Sequence, residues 1–149
     1  MSNAPPQPRL IGLLSDALRD INGELHDRLA EAGYPDIRPP HGTVFSCIGS
    51  EGSRLTDLAA AARITKQAMG EATSDLERLG YLERVRDPTD RRAWILRLTE
   101  RGKQAQRTGF AILDDIEADW ARRYGAEHVR ELRAVLERHA VQRRKEHRV

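Results

Sequence analysis

Four arginines lie close together between residues 84 and 92, around the segment Asp87-Pro88-Thr89-Asp90. An aspartate followed by proline favours a type I turn, so the basic residues should surround the tip of a hairpin. Arginine offers a planar fork of N–H donors that pairs with phosphate, or with the edge of guanine, through two hydrogen bonds. The pattern therefore predicts a tip that neutralises phosphate charge, with Arg84, Arg86, Arg91 and Arg92 as its cations.

A second set of polar residues lies upstream, on a segment with helical spacing. Thr65 can cap this helix, because its hydroxyl can accept a hydrogen bond from a free backbone N–H of the first turn. If the helix enters the major groove, Thr65 and Ser74 suit phosphate contacts, and Lys66 suits phosphate or guanine. Gln67 can offer adenine a paired donor and acceptor, which makes it the leading candidate for reading a base directly.

Apolar spacing defines the elements that must hold these two sets of residues. A first helix is predicted from Leu55 to Arg63 and a second from Lys66 to Leu79, with Met69, Ala72, Leu76 and Leu79 as the inward stripe of the second. Gly80 should end the second helix, and two strands should then flank the turn. In the returning strand Trp94, Leu96 and Leu98 alternate with Ala93, Ile95 and Arg97, which is typical of a half-buried strand.

Helix, turn, helix and hairpin together predict a winged helix-turn-helix, and further helices are predicted on both sides of it. Apolar residues recur every three or four positions from Arg9 to about Ala32, and a short helix should run from Pro40 to about Gly49. A short third strand is predicted at residues 53–55. After the wing, Thr99 can cap a helix that extends to about Arg123, and a last helix should span residues 126–143.

The expected fold class is therefore mainly α with a small β-hairpin wing. We expect residues 1–8 to be a disordered lead-in, because they are rich in proline and small polar residues. Residues 9–149 should form a single domain, since this length is ordinary for one hydrophobic core. Within it, residues 35–99 would be the DNA-binding module, and residues 9–34 and 100–149 would be dimerisation helices.

Several short motifs together resemble the MarR family of transcriptional regulators. They are Leu58-Ala59, Thr65-Lys66-Gln67, Leu76-Glu77, Leu79-Gly80-Tyr81, Asp87-Pro88, Asp90-Arg91-Arg92 and Leu98-Thr99-Glu100-Arg101-Gly102. The resemblance implies a dimeric, sequence-specific DNA-binding protein. Its single cysteine and the lack of a signal segment lead us to expect a cytoplasmic one. The resemblance also implies a repressor of a palindromic operator, released when a small aromatic or anionic ligand binds.

The resemblance assigns roles to individual residues of the wing and of a ligand site. It implies that Arg92 enters the minor groove, that Asp90 orients the Arg92 guanidinium through a salt bridge, and that Arg91 lies beside the backbone. The alternative is that Asp90 and Arg92 only hold the hairpin together. The resemblance also implies a ligand site between the dimerising helices and the winged module, where this chain has Arg38, His41 and Trp120; the alternative for His41 is a structural role, which is the more frequent one for such a histidine.

The middle of the second helix departs from the family pattern. Relatives often have serine or threonine and a basic residue there, whereas this chain has Gly70 and Glu71. Glu71 could accept a hydrogen bond from the amino group of cytosine, or could pair with a neighbouring arginine. The departure keeps an alternative function open, in which the winged fold is a protein-interaction module that has lost DNA binding.

The apolar face of the first helix also admits two interpretations. It is wide for a helix near the end of a chain, so it could pair with a second subunit or pack within the chain. A palindromic operator would follow from a two-fold dimer, because its two reading helices must enter successive major grooves about 34 Å apart.

Composition limits the other function classes. The formal net charge of +2 and the pI of about 9.0 do not indicate whether the chain binds nucleic acid, so such binding must depend on the local arrangement of charge. The single cysteine, Cys47, excludes an internal disulfide; it could sense oxidants, but a buried, inert thiol is the expected state. The sequence shows neither a membrane span nor a signal segment. The five histidines form no close metal pair, and no nucleophile motif or phosphate loop is found, so we expect neither a cofactor nor an enzyme.

Overall fold

The computed structural model describes residues 7–146, and in that range it contains six helices and one β-hairpin. The predicted lead-in therefore lies mostly outside the described residues. In chain order the elements are α1 (Leu10–Glu31), α2 (Pro39–Cys47), α3 (Leu55–Ala62), α4 (Lys66–Arg78), β1 (Leu82–Asp87), β2 (Asp90–Leu98), α5 (Glu100–Tyr124) and α6 (Ala126–Glu146). The predicted fold class, mainly α with a hairpin wing, is confirmed.

The chain divides into two compact units, one extending to Phe110 and the other starting at Ala111. In the first unit, α4 packs against α2, α3 and β1. The core of this unit is built from fully buried side chains, such as Val44, Leu58, Met69 and Leu76, and the last two belong to the inward stripe predicted for α4. Burial of each such side chain stabilises the fold by about 1.5–3 kcal/mol, so the helix-turn-helix is held mainly by this core.

The connection between α3 and α4 is short and has a defined geometry. Arg63 adopts the left-handed conformation (φ 56°) at the end of α3. The Thr65 hydroxyl then accepts a hydrogen bond from the Ala68 N–H at 3.1 Å, as the sequence predicted for the first turn of α4. At the other end of α4, Gly80 has φ 84°, a conformation that favours glycine and allows the chain to leave the helix.

The wing is an antiparallel hairpin whose strands pair from Leu82 with Leu98 to Asp87 with Asp90. The expected third strand is reduced to a single bridge, in which Ser53 and Leu96 exchange two backbone hydrogen bonds of 2.9 Å. Leu96 and Leu98 are buried, but Trp94 is 45% exposed. The alternation is thus obeyed only at the base of β2, because the tip of the hairpin extends beyond the core.

Helix α5 begins against the end of α4. The Thr99 hydroxyl caps it by accepting the Gly102 N–H at 3.1 Å, and donates to the Gly80 carbonyl at 2.6 Å. The Thr99 N–H in turn donates to the Tyr81 carbonyl at 3.0 Å. Gly102 lies so close that a Cβ built on it would be 2.1 Å from that same Tyr81 oxygen. Only glycine allows this approach of backbone to backbone.

The second unit contains the end of α5 and α6, which reverse direction at Gly125 (φ 97°). Glu117 and Arg133, each eight residues from Gly125, form an ion pair with an Nε to Oε1 distance of 3.1 Å, as expected for antiparallel helices. Large apolar side chains of α6 are exposed in the single chain, including Leu132 and Leu136.

Helix α1 leaves most of its apolar face uncovered in the single chain. Leu10, Ile11 and Leu18 are 71%, 74% and 60% exposed, and Leu13 and Leu14 are also exposed. The buried apolar residue of this helix is Leu29, near its end. In the range 7–146, none of the helices is both long enough and apolar enough to span a bilayer.

Candidate nucleic-acid interface

Helix α4 separates into a buried face and an exposed polar face. Met69, Ala72, Thr73 and Leu76 are buried, and the Thr73 hydroxyl donates to the Met69 carbonyl at 2.9 Å, which satisfies its hydrogen-bonding capacity inside the core. The residues that we predicted to contact DNA from this helix, Thr65, Lys66, Gln67 and Ser74, are all exposed. The structure therefore leaves all four accessible, and Gln67 and Ser74, seven positions apart, share one exposed surface of the helix.

Glu71 lies on that same exposed surface, one helical turn after Gln67. The Gln67 amide donates to the Glu71 carboxylate at 3.3 Å. Among the described residues, no cation lies within ion-pair distance of this carboxylate. Of the two interpretations of Glu71, pairing with a neighbouring arginine is thus not what the structure shows.

Asp75 is the centre of an ionic cluster that joins α4 to the start of α2. Its carboxylate accepts hydrogen bonds from the guanidinium groups of Arg38 and Arg78, and from His41 Nε2 at 2.8 Å. The two guanidinium groups hold the pKa of Asp75 well below its usual range. The carboxylate therefore stays charged at any physiological pH and fixes the position of α4 against α2.

His41 is only 1% exposed and is fixed in one tautomer by its neighbours. Its Nδ1 accepts the backbone N–H of Arg38 at 3.0 Å, so its proton is on Nε2, which donates to Asp75. Burial lowers the pKa of His41, and the imidazole is therefore neutral at pH 7. This geometry gives His41 the structural role that we considered alongside ligand binding.

The three residues proposed for a ligand site are not all found in one unit. Arg38 and His41 line a shallow groove of about 640 Å³ beside α4, together with Ser74, Asp75 and Arg78. Trp120 lies in the second unit, where its ring packs edge-on against Tyr124 with 5.8 Å between centroids. The ligand site therefore remains a prediction.

The four arginines of the wing fall into two pairs. Arg84 is engaged by Glu77, with 3.0 Å from Nε to each carboxylate oxygen. Arg86 lies over the Trp94 ring at 4.0 Å and donates to the Arg91 carbonyl at 3.1 Å. Arg91 and Arg92 are exposed at the tip, and in the described part of the chain no carboxylate forms an ion pair with either of them. These two residues are the cations available to an external anion.

The contact between Asp90 and Arg92 differs from the one that we predicted. The Asp90 carboxylate accepts the backbone N–H of Arg92 at 3.0 Å, rather than its guanidinium. Its other oxygen is 3.9 Å from the guanidinium of Arg54. Asp90 therefore fixes the backbone from which the Arg92 side chain extends, and leaves the guanidinium itself unpaired.

Arg54 is a component of the wing that the sequence analysis missed. It donates to one oxygen of the Asp87 carboxylate from Nε at 2.9 Å and from Nη2 at 2.5 Å. The other oxygen accepts from the N–H and the hydroxyl of Thr89, at 2.8 and 2.7 Å. These bonds lower the pKa of Asp87 to about 2, with the contacts to Thr89 the largest cause. The signal available was the short strand expected at residues 53–55, which brings Arg54 to the hairpin.

Replacing Asp87 with asparagine should destabilise the wing in a pH-dependent way. Because the folded state lowers the pKa of this carboxyl group, its contribution is complete above about pH 4 and is lost as the pH falls towards 2. We expect Asp87→Asn to lower Tm by about 3 °C or more at pH 7, and the difference from the natural chain to shrink below pH 4. Thermal melts followed by circular dichroism between pH 7 and 2.5 would measure this.

The matched control for that experiment is Glu83→Gln. Glu83 pairs with Arg97 on the same hairpin, at 2.7 Å, but both side chains are nearly half exposed. Exposed pairs contribute about 1 kcal/mol or less, so Tm should hardly change. Equal effects of the two substitutions, or a difference for Asp87→Asn that does not depend on pH, would contradict the role given to Asp87.

Comparison with known proteins supports the MarR resemblance over the module that carries these residues. The model of the MarR family matches residues 36–93. No curated protein matches the chain. Solved structures similar to this chain include MarR, with 24% sequence identity, a TM-score of 0.74 and coverage of 93% of this chain and 99% of that one.

Two further solved structures are similar in fold and contain bound molecules. FabT from Streptococcus pneumoniae, in complex with DNA, has 19% identity and a TM-score of 0.75, with 92% of this chain and 96% of that chain covered. PcaV from Streptomyces coelicolor, in complex with its natural ligand, has 19% identity and a TM-score of 0.72, with 94% and 97% covered. At sequence identities of 24% or less, the similarity between these structures and this chain establishes a shared fold only.

Proposed function

We propose that this chain is a sequence-specific DNA-binding regulator that acts as a homodimer. The premise is that residues 36–93 belong to the MarR family, whose regulators are non-enzymatic transcription factors. The observation that carries the proposal is the pair of unpaired guanidinium groups, Arg91 and Arg92, exposed at the tip of a wing whose backbone is fixed by Asp87 and Asp90. Preorganised cations of this kind suit a phosphate-lined groove. That FabT is found in complex with DNA supports the same interpretation.

In this proposal α4 enters the major groove. The free N–H groups at its start, next to Thr65, point towards phosphate, and Lys66 and Ser74 add contacts to the backbone. Gln67 lies on the exposed face and reads a base edge. Asp75 joins α4 to α2 through Arg38 and His41, so that the reading side chains are presented on a rigid element.

Dimerisation is supported by the uncovered apolar side chains of α1. A contiguous face that includes Ile11, Leu14 and Leu18 is unusual on a monomer in water, and pairing with a second copy would bury it. A two-fold dimer presents two copies of α4 to the DNA. We therefore infer a palindromic operator whose half-sites are about one helical turn apart.

We further infer that the regulator is a cytoplasmic repressor that releases its operator when a small aromatic or anionic compound binds. A ligand that favours a dimer whose helix spacing does not fit DNA must weaken DNA binding by the same coupling factor. Arg38, on the open groove beside α4, stays a candidate ligand residue, and Trp120 is a separate candidate in the second unit; the burial and the hydrogen bonds of His41 favour its structural role. PcaV, a protein of the same fold, is found with a natural ligand.

Arg92→Ala should weaken binding to every duplex by about tenfold, because it removes one groove contact that does not depend on sequence. It should also flatten the plot of log K against log salt by about 0.9, the slope expected for one lost phosphate contact. Fluorescence anisotropy over a salt series would measure both, using duplex from the protein's own upstream region and a scrambled duplex.

Arg97→Ala is the matched control, since Arg97 lies on the same strand but pairs with Glu83 away from the tip. It should leave affinity and salt slope unchanged. If Arg92→Ala also changes neither, the wing assignment is wrong. If the natural chain binds both duplexes equally and weakly, the alternative function, a winged module turned to protein partners, gains support.

A further inference from the structure

Glu71 occupies the centre of the surface that would face DNA. On α4, residues three and four positions apart lie on the same side, so Glu71 is flanked by Gln67 before it and Ser74 after it. Its side chain is exposed, whereas Met69, Ala72 and Leu76 cover the opposite side of the helix. A carboxylate at this point must meet either base edges or phosphates when α4 enters the groove.

Two arginines, Arg38 and Arg78, line the same groove as Glu71, and both are engaged by the Asp75 carboxylate. The contact that the structure gives Glu71 is the hydrogen bond from the Gln67 amide, which orients the carboxylate without neutralising it. Glu71 therefore offers DNA a carboxylate that is not ion-paired with any cation of the described residues.

An ionised carboxylate can accept hydrogen bonds but cannot donate them. In the major groove the donors are the amino groups of cytosine (N4) and adenine (N6), whereas guanine and thymine present oxygen acceptors at the corresponding edge. A base with an amino group thus offsets the loss of water around the carboxylate, and a base with a carbonyl oxygen repels it.

We propose that Glu71 is a specificity-determining residue that selects cytosine or adenine, and rejects guanine and thymine, at one position of each half-site. This inference rests on the proposed function, in which α4 enters the major groove. Glu71 would lower affinity for DNA in general, because its charge opposes the phosphates, and would recover that affinity where an amino group meets it. Its contribution is discrimination between sequences.

The test begins with the full chain and a pool of randomised duplexes, from which the preferred operator is selected. Each operator position is then replaced by all four bases, and the Kd of each duplex is measured by anisotropy. For the natural chain, one position in each half-site should favour cytosine or adenine by about tenfold. Glu71→Ala should reduce that preference to about twofold or less, at that position alone, and should increase affinity for scrambled duplex.

Two other variants distinguish base recognition by the Glu71 side chain from the general effect of removing one negative charge. Glu71→Gln restores a donor to the side chain, so it should bind guanine and thymine at that position nearly as well as cytosine and adenine. Glu51→Gln removes one exposed carboxylate from the turn before α3, and should leave every base preference unchanged. Circular dichroism confirms that each variant is folded.

The outcomes distinguish this inference from the proposed function. If the natural chain prefers an operator but Glu71→Ala keeps the same preference at every position, the inference is overturned and the function stands. The same holds if no position distinguishes amino from carbonyl bases. If the natural chain shows no preference among duplexes at all, both the function and the inference are overturned.

Discussion

Replacing Gly102 with alanine should destabilise the protein by about 3 kcal/mol, the upper part of the range for overpacking. The added Cβ would lie 2.1 Å from the Tyr81 carbonyl oxygen and 3.1 Å from Leu98 Cδ2. The oxygen cannot easily retreat, because it accepts the Thr99 N–H at 3.0 Å, and the Tyr81 N–H donates to the Leu76 carbonyl at 2.9 Å. The clash can be relieved only by moving α5 away from the base of the wing. Tm should fall by about 6–12 °C, measured by scanning calorimetry.

Gly109→Ala provides the matched control in the same helix. A Cβ at Gly109 would meet Leu29 Cδ2 at 3.9 Å, which is ordinary van der Waals contact. Since alanine is the better helix former by about 1 kcal/mol, this variant should be as stable as the natural chain or slightly more stable. If both variants have the same Tm as the natural chain, the close approach of α5 to Tyr81 is not required for stability.

Replacing Leu14 and Leu18 together with glutamate should convert the dimer to a monomer and reduce operator affinity by about a hundredfold or more. The two leucines are 42% and 60% exposed in the single chain, so the charges should not disturb its core. In a dimer they would be buried against a partner, where unpaired carboxylates are strongly unfavourable. A monomer binds one half-site and loses the gain that comes from linking two binding modules. Sedimentation velocity and anisotropy would measure the two effects.

Ala30→Glu is the control for added charge on α1. Ala30 is exposed and lies on the side of the helix opposite Leu14 and Leu18. This variant should remain a dimer with nearly natural affinity for the operator. A natural chain that sediments as a monomer at micromolar concentration, or a double variant that remains a dimer, would refute the interface on α1.

The parts of the fold that were predicted correctly depend on local sequence. The stripe of Met69, Ala72 and Leu76 has the period of a helix, and Thr65 and Thr99 are both caps whose chemistry acts within three residues. Gly80 marks a helix end because few other residues adopt its conformation without strain. Such features can be identified from spacing alone, since the physical cause and its effect are neighbours in the chain.

The parts that were missed depend on contacts between distant residues. Asp75 looks like an ordinary surface residue of α4, yet it binds Arg38 and His41, which are more than thirty positions earlier. The pairing of Arg54 with Asp87 spans 33 residues in the same way. Asp90 does contact Arg92, as predicted, but it binds the backbone N–H and not the guanidinium. Sequence shows which residues lie near a turn, but it does not show which group of one residue faces the other.

The bridge between Ser53 and Leu96 determines how the wing opens. An isolated two-stranded hairpin is marginally stable in water and frays by itself. Here the second strand shares a pair of backbone hydrogen bonds with Ser53, two residues before α3, and Arg54, the next residue, binds the carboxylate at the hairpin turn. The hairpin and the start of α3 therefore form one cooperative opening unit, and amides on both should exchange with deuterium at a common, slow rate. A wing held in this way is already ordered before it contacts DNA, so little conformational entropy is lost when it binds.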